Sequence, residues 1–148
     1  GSKVIDVGTG AGFPGLPLSI VEPNCTFTLL DGHRKKISFV VQMITELKLQ
    51  NVIGLAERSE NYYPDKFADT VISRAVTTIS NLVKVAGHLV GHRGRLLVLK
   101  GRYPTNELKK ECLKENWNIT VEKIVVAGLD NHQRHLVIMQ RKQELING

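Results

Sequence analysis

A glycine-rich segment near the start of the chain has the residue types of a ligand-binding turn. It reads Asp6-Val-Gly-Thr-Gly-Ala-Gly-Phe-Pro-Gly15 and follows an apolar, β-branched run directly. Such turns need glycine because the backbone adopts positive φ and because a ligand approaches the main chain closely. A tight turn without a ligand is the alternative, so further residues must decide between the two interpretations.

The spacing of these glycines distinguishes between nucleotide cofactors. Gly8, Gly10 and Gly12 form G-x-G-x-G, and Asp6 lies two residues before Gly8. A dinucleotide fingerprint has G-x-G-x-x-G, so that the helix N-terminus can take a pyrophosphate. A carboxylate beside the loop repels a pyrophosphate but suits a ligand that bears an ammonium group and a sulfonium. The spacing therefore favours S-adenosyl-L-methionine over NAD.

A second carboxylate, Asp31, ends the next apolar run, about 20 residues beyond the loop. A carboxylate there can accept two hydrogen bonds from a ribose diol. The alternative is that Asp31 caps the helix that follows. Taken together with the glycines, Asp31 indicates a cofactor that contains adenosine.

Seven short runs rich in β-branched residues predict strands, at residues 3–7, 27–30, 52–56, 70–73, 95–99, 119–126 and 135–140. Helical periodicity lies between most of them. It predicts a short helix around Leu16 and Ile20 and longer ones over residues 37–47, 79–89 and 107–115, the last with Cys112 on its buried face. Strands that alternate with helices predict an α/β fold with a doubly wound, mostly parallel, Rossmann-like sheet.

The last two predicted strands break this alternation. Residues 127–134 between them are too few to hold a helix, which predicts an antiparallel pair at the end of the chain. Seven strands with an antiparallel terminal strand beside the fifth resemble the class I methyltransferase fold. Because no repeat or linker interrupts the pattern, one domain over residues 1–148 is expected.

Composition narrows the class of protein further. The 148 residues contain 20 Lys and Arg against 14 Asp and Glu, a net charge of +6, which fits a polyanionic partner and an unspecialised basic surface about equally well. Cys25 and Cys112 match no metal-ligand spacing, so no metal site is expected. No apolar run approaches the roughly 18 residues of a membrane-spanning helix. A cytoplasmic protein without membrane association is expected.

The segment from Asp6 to Ile20 resembles the signature of the RsmG (GidB) family of bacterial methyltransferases, which form 7-methylguanosine in 16S ribosomal RNA. Further matches follow along the whole chain: Leu29-Leu30-Asp31, Lys36, residues 47–51, Arg58-Ser59-Glu60, Ile72-Ser73-Arg74-Ala75, Leu99-Lys100-Gly101 and Arg134-His135-Leu136-Val137. The family carries an N-terminal helical segment that this sequence lacks, which implies a fragment.

The resemblance implies roles for particular residues. Gly8, Phe13, Ser59, Glu60 and Arg74 match positions that contact S-adenosylmethionine in the family. For Glu60 the alternative is a solvated loop charge. For Arg74, at the tip of a predicted buried strand, the alternative is a structural partner.

Basic residues near the predicted strand ends are candidate contacts with 16S ribosomal RNA or the small-subunit particle. They are Lys100, Arg134 and His135, with residues 34–36 as a second candidate group, and a solvated rim is the alternative. The N7 atom of guanine already presents a lone pair, so no general base and no catalytic residue are assigned. An NAD-dependent oxidoreductase and a non-catalytic RNA-binding module remain as alternative functions, and a monomer is expected.

Overall fold

The computed structural model describes residues 1–74 and 77–143, so that Ala75 of the family-like segment lies outside the described residues. Its strands are β1 (Lys3–Val7), β2 (Thr26–Leu30), β3 (Val52–Leu55), β4 (Ala68–Ser73), β5 (Val90–Lys100), β6 (Trp117–Lys123) and β7 (His135–Arg141). Its α-helices are α1 (Gly15–Val21), α2 (Arg34–Glu46), α3 (Ile79–Ala86) and α4 (Glu111–Asn116), and short 3-10 turns cover Ser59–Asn61 and Gly87–Leu89. None of the helices described is long and apolar enough to cross a membrane.

The strands form a seven-stranded sheet in the order β3-β2-β1-β4-β5-β7-β6. β1 pairs in parallel with both β2 and β4, so the chain winds outwards from β1 in two directions. Ligands of open α/β sheets bind in the crevice at the carboxyl ends of the strands where the winding direction changes. The predicted doubly wound, mostly parallel architecture is confirmed, and it places that crevice at the ends of β1 and β4.

The two faces of the sheet carry separate apolar clusters, as expected for a sheet covered by helices on both sides. Successive residues of β1 contribute to opposite faces: Ile5 belongs to the cluster that contains Leu82 of α3. Val4 belongs to the cluster that contains Leu16 of α1 and Val40 of α2. Each such side chain, when fully buried, contributes about 1.5–3 kcal/mol to the free energy of unfolding. The strand ends that carry the site therefore belong to a stable sheet.

The end of the chain shows how the predicted hairpin is built. β7 lies between β5 and β6 and runs antiparallel to both, which confirms the antiparallel terminal strand. β6 begins at Trp117, two residues before the predicted start, because the buried indole packs beneath the guanidinium of Arg141, 4.8 Å from the ring centre. It ends at Lys123, and Val125 beyond it is exposed.

The helix predicted over residues 107–115 is shorter than expected. α4 covers Glu111–Asn116, and residues 105–109 form turns instead. The carboxylate of Glu107 bonds to the backbone of Ile79 across the loop, so Glu107 is held outside the helix. The prediction that Cys112 is buried was wrong: Cys112 is exposed, and its neighbour Leu113 enters the core.

Candidate functional site

The glycine loop, residues 8–14, joins β1 to α1 at the crevice. Gly8, Gly10 and Gly12 have φ of 70°, 61° and 95°, the left-handed region that favours glycine. A Cβ added at Gly8 or Gly10 would meet no atom within 4 Å, whereas one added at Gly12 would meet the Leu16 side chain at 2.3 Å. Gly8 and Gly10 therefore border open space, and Gly12 permits close packing of the loop on α1.

Asp6 lies beneath the loop and is fully buried. Its Oδ2 accepts hydrogen bonds from the Thr9 hydroxyl at 2.7 Å and from the Gly15 N–H at 2.9 Å. Its Oδ1 is buried and has no hydrogen-bond partner among the described residues. Asp6 therefore holds the shape of the loop from below, a role that the sequence interpretation, in which it faces a positive ligand, did not include.

The environment of Asp6 changes its acidity. Burial raises the pKa of Asp6 from 3.8 to about 6, although the bonds from Thr9 and Gly15 and the charge of Arg74 act in the opposite direction. A desolvated carboxylate with one unpartnered oxygen favours the protonated form. Near neutral pH the ionised Asp6 is therefore a source of instability beneath the loop.

This raised pKa predicts a specific pH dependence of stability. From about pH 4 to about pH 7, Asp6 is expected to lower the free energy of unfolding by about 3 kcal/mol, because the unfolded chain releases its proton first. Asp6→Asn removes this titration. The free energy of unfolding is measured by chemical denaturation at several pH values for Asp6→Asn and for the parent. The value for Asp6→Asn minus the value for the parent should rise with pH.

Asp31→Asn provides the matched control. Because the pKa of Asp31 is lowered, ionised Asp31 contributes stability above the unfolded pKa and loses it as the pH falls through the folded one. The stability of Asp31→Asn minus that of the parent should therefore fall as the pH rises from the acid limit. A difference for Asp6→Asn that does not change with pH would contradict the raised pKa.

Asp31 fastens the glycine loop to β2. Its Oδ2 accepts the Gly10 N–H at 3.0 Å, and its Oδ1 accepts the His33 N–H at 2.9 Å and lies 2.9 Å from His33 Nδ1. The residue that caps α2 is His33, not Asp31, so the capping alternative is wrong. Partial burial raises the pKa of Asp31, but the bonds from His33 and Gly10 and the charge of Lys36 lower it more, and its pKa lies below the ordinary value.

Ser59 and Glu60 lie in the turn after β3, next to Asp31 in the row of strand ends. Ser59 is buried, and its hydroxyl lies 3.4 Å from Glu60 Oε2. Glu60 Oε1 is 3.9 Å from the guanidinium of Arg58, in a pair with both side chains largely exposed. Such surface pairs contribute little to stability, so the Glu60 carboxylate is available to a ligand.

An open cavity of about 470 Å³ lies beside the glycine loop. It is lined by Gly10, Ala11, Lys35, Lys36, Phe39 and Arg74. Three of these side chains are cationic and none is acidic, so the cavity favours an anionic ligand. Phe39, whose side chain is 46% exposed, was not identified from the sequence. The sequence does contain one indication of it, because Phe39 is an aromatic residue that lies outside the apolar stripe of α2.

The basic residues predicted to contact RNA lie together at the ends of β5 and β7, where Lys100 pairs with His135, but they do not present a surface of free cations. The ammonium of Lys100 lies 3.1 Å from Glu107 Oε1, and the Lys100 side chain is only 13% exposed. His135 is buried, with Nδ1 2.8 Å from the Gly101 carbonyl oxygen. Arg134 is half-buried at the surface. The geometry therefore corrects the expectation that Lys100 and His135 present free cations, because both side chains are engaged inside the protein.

The sequence was compared with known families and proteins. A family model described as rRNA small subunit methyltransferase G (GidB) matches residues 1–137. Ribosomal RNA small subunit methyltransferase G of Idiomarina loihiensis is 45% identical over 143 residues, which cover 96% of this chain and 68% of that protein. The protein of the same name from Nitrosococcus oceani is 41% identical over 143 residues, with 97% and 66% covered. The chain thus spans about two thirds of the length of these relatives.

Solved structures share the fold at much lower identity. The structure of M. capricolum TrmK in complex with S-adenosyl-homocysteine matches with a TM-score of 0.74 at 13% identity, covering 96% of this chain and 63% of that one. This likeness supports the class I methyltransferase architecture that the strand order already shows. The family model and the sequence identities carry the closer relationship, and the chain belongs to the rRNA small subunit methyltransferase G (GidB) family.

Proposed function

We propose that this chain is a single domain that transfers a methyl group from S-adenosyl-L-methionine to 16S ribosomal RNA and forms 7-methylguanosine. The observation that carries the proposal is the glycine loop held to Asp31 at the crevice, beside a cavity lined by cations. Membership of the GidB family supports both the cofactor and the RNA substrate.

The residues at this edge of the sheet fit S-adenosylmethionine. Gly8 and Gly10 leave open space in which a ligand can approach the main chain. Among the described residues, Asp31 Oδ2 accepts only the Gly10 N–H, which leaves one acceptor site for a ribose hydroxyl. Asp31 Oδ1 gains a second site when the exposed ring of His33 turns away. Asp31 would therefore bind the ribose and hold the loop at the same time.

The remaining cofactor contacts are assigned along the same row of strand ends. Ser59 and Glu60 stand on the β3 side, next to Asp31, and are proposed to border the adenine. Phe13, half-exposed in the loop, and Arg74, which lines the cavity after β4, are proposed to contact the opposite end of the cofactor. Gly12 is assigned to the shape of the loop.

The proposed reaction requires the chain to align two reactants. When bound, S-adenosylmethionine supplies a methyl group on a sulfonium, and guanine N7 offers an unprotonated lone pair. No side chain has to remove a proton before the attack. Alignment of reacting groups can contribute roughly 7–11 kcal/mol to the lowering of a barrier, so residues that position the RNA base are expected to control the rate.

The cavity beside the loop is proposed as the RNA side of the site. Lys35, Lys36 and Arg74 provide cations for backbone phosphates. The half-exposed ring of Phe39 offers a surface on which an unpaired base can stack. The RNA contact is therefore proposed on α2 and the end of β4, and not on Lys100 or His135.

The function is tested by incubating the protein with radiolabelled S-adenosylmethionine and unmodified 16S RNA or small-subunit particles. Nucleoside analysis of the RNA should show label in 7-methylguanosine. Calorimetry should show saturable binding of S-adenosylmethionine and none of NAD. Cofactor binding without transfer to either substrate would favour a non-catalytic RNA-binding module, and binding of NAD instead would favour the oxidoreductase.

The RNA surface predicts a change in salt dependence. Lys35→Gln/Lys36→Gln removes two exposed cations of the cavity. The slope of log affinity for single-stranded RNA against log salt should become shallower by about 1.4, because two phosphate contacts are lost. Fluorescence anisotropy at several salt concentrations measures this slope.

Lys84→Gln/Lys114→Gln is the matched control for charge. Both lysines are exposed and lie in the last turns of α3 and α4, which lead away from the carboxyl edge of the sheet. The control removes the same net charge and should change the slope much less. Equal slopes for the two double variants would assign the effect to net charge and contradict the proposed surface.

A further inference from the structure

A half-buried ion pair joins the end of β5 to the start of α3. Lys100 Nζ and Glu107 Oε1 are 3.1 Å apart, and the two side chains are 13% and 27% exposed. Lys100 Nζ also donates to the Thr77 carbonyl oxygen at 2.9 Å. Glu107 Oε2 accepts the Ile79 N–H at 2.7 Å. Two side chains thus hold two backbone groups of the chain that enters α3.

The helix has other anchors besides this pair. Thr78 already caps α3, since its hydroxyl accepts the Asn81 N–H at 3.2 Å. The apolar face of α3, with Ile79 and Leu82, is buried in the core. Because removing two charges from water costs about as much as their attraction returns, a buried ion pair is weak evidence for a stabilising role. Its directional bonds to backbone atoms instead favour a role in positioning.

The backbone that the pair holds belongs to the RNA side of the site. β4 ends at Ser73, whose hydroxyl donates to the Val7 carbonyl oxygen at 3.0 Å and joins the ends of β4 and β1. Arg74 follows and lines the cavity. Thr77 stands three residues further along the chain, so its backbone can be no more than roughly 11 Å away. Arg74 therefore lies between two residues that the structure shows to be held, Ser73 before it and Thr77 after it.

We infer that Lys100 and Glu107 are a positioning pair, which sets the place of Arg74 at the cavity and thereby the alignment of the RNA with the cofactor. This inference rests on the proposed methyltransferase function. The pair acts through the backbone of Thr77 and Ile79 and needs no contact with either reactant. It also gives Lys100 a role different from the RNA contact expected from the sequence.

The test compares Lys100→Met, Lys100→Met/Glu107→Met and Glu107→Gln with the parent. Lys100→Met leaves a half-buried carboxylate without its cation, so both Tm and kcat should fall. The double variant removes that unpaired charge, so Tm should recover while kcat for RNA methylation stays about 10- to 100-fold below the parent. Glu107→Gln keeps an oxygen that can accept the Ile79 N–H, so its kcat should lie between that of the double variant and that of the parent.

Two further measurements separate positioning from general damage. In the double variant the affinity for S-adenosylmethionine should fall less than the RNA affinity, because the glycine loop and Asp31 still hold the cofactor when Arg74 is displaced. Arg141→Met is the matched structural control, because Arg141 also donates to a backbone carbonyl oxygen, that of Gly87, but lies away from the cavity. Arg141→Met should lower Tm, whereas its kcat per folded molecule should equal that of the parent.

The outcomes distinguish the inference from the proposed function. If kcat and RNA affinity of the double variant recover together with its Tm, the pair is structural only and the inference is overturned. If the parent itself transfers no methyl group, the proposed function fails. RNA affinity measured by anisotropy then still decides the inference, since unchanged affinity in the double variant would overturn it and reduced affinity would support it.

Discussion

Gly10→Val is expected to weaken binding of S-adenosylmethionine by at least about 100-fold while the protein remains folded. Gly10 has φ of 61° and borders open space. The valine side chain would occupy the space in which the cofactor approaches the main chain, and a β-branched residue is strained in this backbone conformation. The bond from the Gly10 N–H to Asp31 would be disturbed at the same time.

The cost of this substitution to the fold should be modest. A side chain in the left-handed region costs roughly 1–2 kcal/mol, which corresponds to a loss of only several degrees in Tm for a protein of this size. Calorimetry measures the cofactor affinity, and thermal unfolding followed by circular dichroism measures Tm.

Gly128→Val is the matched control for backbone strain. Gly128 has φ of 79°, and a Cβ there would also meet no atom within 4 Å. It lies in the loop between β6 and β7, and the strands β4, β5 and β7 separate β6 from β1, which carries the glycine loop. Gly128→Val should lose a similar amount of Tm and retain the affinity for S-adenosylmethionine. If Gly10→Val unfolds while Gly128→Val does not, the loop serves the fold first and its assignment to the cofactor is wrong.

Asp31→Ala is expected to weaken cofactor binding by about 1.5–3 kcal/mol, or roughly 10- to 150-fold. Two effects contribute: the ribose loses its acceptor, and the glycine loop loses the bond from Gly10 to Asp31. S-adenosylhomocysteine and its 2′-deoxy and 3′-deoxy analogues separate them in calorimetric titrations. Loss of a ribose hydroxyl should weaken binding to the parent and have little effect on Asp31→Ala.

His33→Ala is the control for this prediction. The His33 ring lies 2.9 Å from Asp31 Oδ1 and is itself exposed. Because the ribose is proposed to take the place of that ring, His33→Ala should leave the affinity within about threefold of the parent. If the analogues lose affinity equally for the parent and for Asp31→Ala, Asp31 only holds the loop and the ribose contact is wrong.

The main features of the cofactor side could be predicted from sequence because they depend on local chain geometry. A strand, a glycine turn and a helix follow one another without interruption, and parallel strands bring their carboxyl ends to one edge. This is why the glycine loop and Asp31 meet, as the bond between Gly10 and Asp31 shows. The capping alternative for Asp31 was wrong because the chain inserts Gly32 and His33 before α2 begins.

The proposed RNA side could be predicted only in part, since residues 34–36 were one of two candidate groups and Phe39 was not identified. A lysine at a strand end looks the same in sequence whether it faces solvent or a buried carboxylate. Lys100 meets Glu107 only because residues 101–110 fold back as turns over the start of α3. Phe39 was missed for a related reason, since periodicity identifies the buried stripe of α2 but not what stands beside its exposed face.

The position of β7 delays the completion of the sheet during synthesis. β5, eleven residues long and buried at Leu96 and Val98, has its second neighbour in β7, which follows the other six described strands in sequence. While β7 is still inside the ribosome, β5 presents an apolar edge with unpaired backbone groups, which is a template for aggregation. Nascent chains that end before residue 135 should therefore aggregate more readily than chains in which β7 has emerged from the ribosome.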